Sequence, residues 1–135
     1  MLTRIYDQSG TTITNTFVVA NGTGAQYRAY VAELQSGGFV ISYLDLSSST
    51  LIAKFYDSVG TSLSSPITIG TSIVSNTRAI AVQQSNGDLL FQWDASDGSQ
   101  EGIYIQRTTS TGTLIGTSFR VNTITTGDQA MTWKM

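Results

Sequence analysis

The chain has 135 residues, a net charge of −2 at pH 7 and a charged fraction of 12 %. So sparse and slightly acidic a charge set supplies no basic footprint for nucleic acid or for an anionic membrane surface. Neither Cys nor His occurs, which excludes disulfides, thiol nucleophiles, thiolate metal sites, and the commonest general base and transition-metal ligand.

Read in chain order, the opening "MLTRIYDQSG" lacks the charged, apolar and small-residue regions of a secretory leader. The expectation is an intracellular chain, one exported by another route, or a piece cut from a longer polypeptide. Apolar residues are dispersed in short runs, so no membrane-inserting helix is expected. The polar share is carried by 20 Thr and 17 Ser, with 13 Gly and one Pro. Thr favours strands, and Ser and Gly favour turns, so the bias predicts an all-β protein.

Residues 4–19, "RIYDQSGTTITNTFVV", predict two short strands around a turn bearing Gly10. From Tyr27, "YRAYVAELQSGGFVISYLD" predicts a hairpin, with Gly37-Gly38 supplying the positive φ angles of a two-residue turn. In its second half Phe39, Ile41 and Tyr43 alternate with Val40, Ser42 and Leu44, as a strand requires. The link "DLSSST" follows, then "LIAKFYD", a turn at Gly60, and "PITIG". The pattern then restarts. "TRAIAVQQSNGDLLFQWD" predicts a second hairpin turning at Asn86-Gly87, "DASDGSQEG" a longer link, "GIYIQRT" and "SFRVN" two more strands about Gly112, and "DQAMTWKM" a further first strand.

Residues 4–19 align without gaps on 54–69 and on 106–121, at offsets of 50 and 52. Gly10, Gly60 and Gly112 coincide, as do Phe17, Ile67 and Phe119, and Ala29, Ala79 and Ala130. One repeat domain spans 1–135, with units of roughly 2–50, 51–102 and 103–135, circularly permuted and truncated. Four antiparallel strands per unit at this period predict a β-propeller-like array of about two and three-quarter blades, eleven strands in all. Such an arc leaves sheet edges exposed, so completion by a homo-oligomer is expected.

Residues 87–129, "GDLLFQWDASDGSQEGIYIQRTTSTGTLIGTSFRVNTITTGDQ", resemble the repeat of long secreted bacterial proteins, including RTX-type adhesins and hemolysin-like calcium-binding proteins. That pattern runs G-G-F-V-V-x-W, D-G-S, G-I-Y-x-Q-R-F, G, E-F-x-V-N-T; residues 2–50 match it faintly and lack the D-G-S link. The resemblance implies a propeller-like module, extracellular or on the cell surface, used for adhesion or display. It implies neither a set ligand nor catalytic residues.

Two groups of residues are candidate sites. In "DASDGSQEG" the carboxylates of Asp94, Asp97 and Glu101 could give oxygen ligands to calcium, with Gly98 at the sharp turn. The same residues also read as a solvated turn between strands. Among the aromatics, Trp93 and Tyr43, with Trp133, Tyr6, Tyr56 and Tyr104, could stack on sugar rings while Gln92, Asp94 and Asp45 bond hydroxyls. Aromatics alternating along strands equally read as core. The recurring Arg4, Lys54, Arg28 and Arg78 are expected to pair with Asp7, Asp57 or Glu33. Paired carboxylates are the one acid–base option left for a glycosidase. The leading expectation is a non-catalytic, self-associating adhesion module that binds carbohydrate. The alternative is a structural spacer from a long exported or phage-fibre-like protein.

Overall fold

The structure, a computed structural model, describes residues 1–73, 77, 79–127 and 129. Arg78, Ala130, Trp133 and the expected final strand lie outside the described residues. Ten strands occur among the described residues: β1 (Leu2–Thr3), β2 (Phe17–Val18), β3 (Gln26–Glu33), β4 (Phe39–Asp45), β5 (Thr50–Tyr56), β6 (Ile67–Gly70), β7 (Ala79–Gln83), β8 (Leu89–Ser96), β9 (Glu101–Thr108) and β10 (Leu114–Arg120). No helix occurs among the described residues. The strands form three antiparallel sheets, β1-β2, β3-β4-β5-β6 and β7-β8-β9-β10, each pairing neighbours in sequence.

The repeat is a repeat of pairing. Leu2 faces Val18 and Thr3 faces Phe17; fifty residues on, Ile52 faces Thr68 and Ala53 faces Ile67; fifty-two further, Tyr104 faces Arg120 and Ile105 faces Phe119. The bridges Tyr6 to Thr12, Tyr56 to Ser62 and Thr108 to Leu114 follow the same shifts. The hairpin strands obey it too, Val31 opposite Ile41 and Ala81 opposite Phe91. Register is set by which side chains reach the core, so equal registers mean equal assignment of faces.

Those faces make layers. The back face of the central sheet, with Phe39, Ile41 and Tyr43, packs against Phe17, Val19 and Ala20 of the opening layer. Its front face, with Val40, Leu44, Ala53, Phe55 and Ile69, packs against Ala79, Leu89, Phe91 and Trp93 on the back of the third sheet. Both faces of one strand are therefore buried, as the apolar residues on both sides of "FVISYLD" require. Phe55 and Phe91 meet edge to face across the layers at 6.4 Å, a contact of about 0.5–1.5 kcal/mol beyond area burial. Equivalent strands lie over one another, β7 against β3 and β10 against β6.

Five of the hairpins use one device. At 7–11, 34–38, 57–61, 84–88 and 109–113 the first residue's N–H donates to the fifth residue's carbonyl, and the fourth residue's N–H returns to the first. The fourth residue is Gly10, Gly37, Gly60, Gly87 or Gly112, each with φ between +83° and +94°. This is the three-residue loop closed by a left-handed glycine, not the two-residue turn expected from Gly-Gly and Asn-Gly. Neither Gly38 nor Asn86 has positive φ. Gly38 answers a different need, since a Cβ there would run into the Tyr56 carbonyl oxygen.

Candidate functional site

The two-residue difference between the repeats falls in the link between β8 and β9. In the central sheet the strand pairing ends at Asp45 opposite Thr50. In the third sheet Ala95 faces Gly102, and one further pair, Ser96 with Glu101, extends the ladder. The link is thereby reduced to Asp97, Gly98, Ser99 and Gln100. Asp97 Oδ1 accepts the N–H of Ser99 at 3.0 Å and of Gln100 at 3.2 Å. Gly98, at φ +95°, lets the chain reverse. Asp97 Oδ2 lies 3.8 Å from Arg120 Nη1, beside Gly102 and Asn122. The Ser99 and Gln100 amides, with Asn122 and the Arg120 guanidinium, hold the Asp97 carboxyl below its ordinary value against the opposing effect of desolvation.

The three carboxylates expected to share a calcium ion are not brought together. Asp94 is a buried strand residue opposite Ile103, Asp97 turns back onto its own loop amides, and Glu101 stands opposite Ser96. No group of three or more acidic, His or Cys side chains placed to hold a metal ion occurs among the described residues. A carboxylate whose Oδ1 already accepts two amide protons, with a guanidinium 3.8 Å from its Oδ2, suits an internal anion rather than a cation site. In the sister link, Asp45 Oδ1 accepts the Ser47 N–H at 3.0 Å and its hydroxyl at 2.5 Å. The Ser47 hydroxyl and amide lower the Asp45 carboxyl in the same way.

Of the residues expected to hold a sugar, Trp93 and Tyr43 are buried. Trp93 lies between the second and third sheets, parallel to Tyr104 at 6.0 Å, and stands where a Gly70 Cβ would come within 2.5 Å of its ring. Tyr43 belongs to the core on the back of the central sheet. Burial, with the Asp45 carboxylate nearby, pushes its phenol up. Stacking on a sugar requires an open ring face, which neither residue has. Gln92 is half-buried on the front of the third sheet, on the opposite side from Trp93, and Asp45 is taken up by Ser47.

The remaining openings are modest. A cavity of about 90 Å³ is lined by Thr71, Ser72, Ser96, Tyr104 and Ser118, with Trp93 in its wall. The Trp93 Nε1–H is buried without an acceptor. An open groove of about 550 Å³ runs beside Arg4, Tyr6, Val31, Glu33 and Phe39. Glu33 is the one carboxylate on that lining, so the groove does not assemble the carboxylate pair of a glycosidase.

Two of the recurring cations, Lys54 and Arg4, bond to groups other than the expected acids. Lys54 Nζ donates to the Val19 carbonyl at 3.0 Å and stands 5.6 Å over the Tyr56 ring, and Arg4 Nε donates to Thr16 Oγ1. Asp7 and Asp57 instead close their own loops. Asp7 accepts from Ser9 and Thr11, Asp57 from Val59 and Thr61, and Thr109 Oγ1 takes the Thr113 N–H in the third copy. An ion pair that pairwise reasoning on the sequence missed joins Arg107 to Asp88 at 2.5 Å; D-x-x-G-T in "DQSGT" and "DSVGT" is the signal that could have located the loop staples. No protein-family model matches the chain, and no curated protein or solved structure matches it either.

Proposed function

We propose that the chain is a non-catalytic scaffold and binding module, a propeller-like stack of equivalent β-layers serving in adhesion or display at a cell surface or outside the cell. The observation that carries this reading is the repeated register. Layer packs on layer through equivalent faces, and Tyr43, Phe55, Tyr56, Phe91 and Trp93 are consumed between them. What the stack offers outward is a series of similar, internally stapled loops at 7–11, 57–61 and 109–113. Rigid repeated loops suit recognition of a surface more than chemistry on a substrate. The secreted-repeat resemblance of residues 87–129 points the same way.

Carbohydrate is the ligand class favoured within this reading. Its support is the hydroxyl-lined cavity beside Trp93, whose indole N–H has no acceptor. A sugar hydroxyl could offer the indole N–H its missing acceptor; the contact is a hydrogen bond and not stacking, since Trp93 is 1 % exposed. A glycan array probed with the whole chain tests this. Selective binding to a set of related glycans is expected. No binding, in a chain that remains folded, would favour the spacer reading, and turnover of a chromogenic glycoside would overturn the non-catalytic one.

A further inference from the structure

The contacts between layers repeat as faithfully as the pairing within them. The site of a Gly60 Cβ lies 3.1 Å from Ile5 Cδ1 and from Phe17 Cε1 of the preceding layer. One repeat later, Gly112 stands in the same way against Phe55 and Ile67. The glycine of each loop thus seats on the third- and fourth-strand side chains of the layer before it. Gly10 is the first member of this series and has nothing within 4 Å. Phe119, which follows Phe17 and Ile67 in the repeat, is 57 % exposed.

The exposure of neighbouring positions follows the same rule. Val19 and Ile69 are 3 % and 4 % exposed under the next layer, whereas their counterpart Val121 is 46 % exposed. Tyr56 is 2 % exposed on a covered back face, whereas Tyr6 is 53 % exposed. The structure therefore presents two half-interfaces. The back of the opening layer offers Leu2, Tyr6, Val18 and Gly10. The front of the third sheet offers Phe119 and Val121 beside half-buried Ile103 and Ile105.

We infer that these two surfaces are partners, and that the front of the third sheet docks the opening layer of a second copy of this chain. The contact continues, in the same register, the two layer contacts already made within one chain. Gly10 of one copy seats against Phe119 of the other, as Gly60 seats against Phe17 and Gly112 against Ile67. The two surfaces differ, so the contact is head to tail, a geometry that closes a ring or grows a filament. Each copy brings three layers, and propellers have about 4–8 blades, so two copies close a ring and three exceed the range. The count of copies rests on the propeller-like reading; the contact rests on the repeat alone.

Light scattering and crosslinking test it together. The chain has no Cys, so Thr11→Cys and Thr117→Cys place single thiols at exposed positions near Gly10 and Phe119. Mixed in equal amounts with a short bis-maleimide, the two variants are expected to give a crosslink between positions 11 and 117 and a mass near twice 14.5 kDa. Phe119→Asp, at an exposed side chain, should keep the circular dichroism spectrum and return the mass to one chain. A single-chain mass at every concentration would overturn the proposal, whether the chain's own last residues or another protein covers the face. So would crosslinks between like positions only, or a dimer that survives Phe119→Asp. The mass and crosslink report this contact alone, so they stand or fall apart from the glycan array.

Discussion

At the scale of the residue, side chains that look functional in a list are often structural once their face is known. Trp93 carries the polar N–H and broad ring that suggest a sugar platform, yet it fills the space left by Gly70 between two sheets. The pairing of a large ring with an absent Cβ was not legible, because residues 70 and 93 lie on different sheets and no local pattern links them. Trp93→Ala is expected to destabilise the fold by about 3–5 kcal/mol, as large aromatic truncations in cores do. A denaturant titration with an unchanged midpoint would contradict the core placement. Asp97 gives the opposite lesson. Its spacing from Gly98 identified a turn as readily as a metal loop; the two amides on Oδ1 come from the loop itself, and Arg120, near Oδ2, from a strand whose register the sequence leaves open.

At the scale of the element, the strands were legible and their turns only in part. Alternation in "FVISYLD" placed β4, and glycines marked every hairpin reversal but the β4–β5 link, where "LSSS" has none. What periodicity could not supply was the loop size. The left-handed glycine is common to two- and three-residue hairpins, and the choice is made by the backbone bonds around it. The charged loop residues follow from the same geometry, because Asp7 and Asp57 turn inward to accept amides that the reversal leaves unpaired.

These bonds carry a pH signature. The Ser9 side chain and the Thr11 amide hold the Asp7 carboxyl below its ordinary value, and the Thr61 amide does so for Asp57. A carboxyl depressed in the folded chain stabilises it fully above the unfolded value, near 3.8. That contribution is lost as pH falls through this value and the lower folded one. Melting temperature is therefore expected to be level from about pH 7 to 5 and to fall below about pH 4. The fall should be shallower in an Asp7→Asn, Asp57→Asn double variant. Equal melting of native and double variant throughout the acid range would show that the loop carboxylates carry no such linkage.

At the scale of the whole molecule, the sequence repeat showed that the same unit recurs, and the structure adds how one unit meets the next. The meeting was hidden because each interface joins positions far apart in the chain, such as Gly60 with Phe17 or Phe55 with Phe91, so no single segment contains both sides. Once the equivalent faces are identified, a layer's stability depends on its neighbours, as in other repeat proteins, and the uncovered faces at the two ends become the informative surfaces. The central claim is that successive layers stack by one repeated contact. Nuclear Overhauser measurements on the labelled chain test it most directly, through contacts from the Gly60 Hα protons to the Phe17 ring and from the Gly112 Hα protons to the Ile67 methyls. Both are predicted to appear. The presence of only one, or of neither in a folded chain, would contradict a common stacking step.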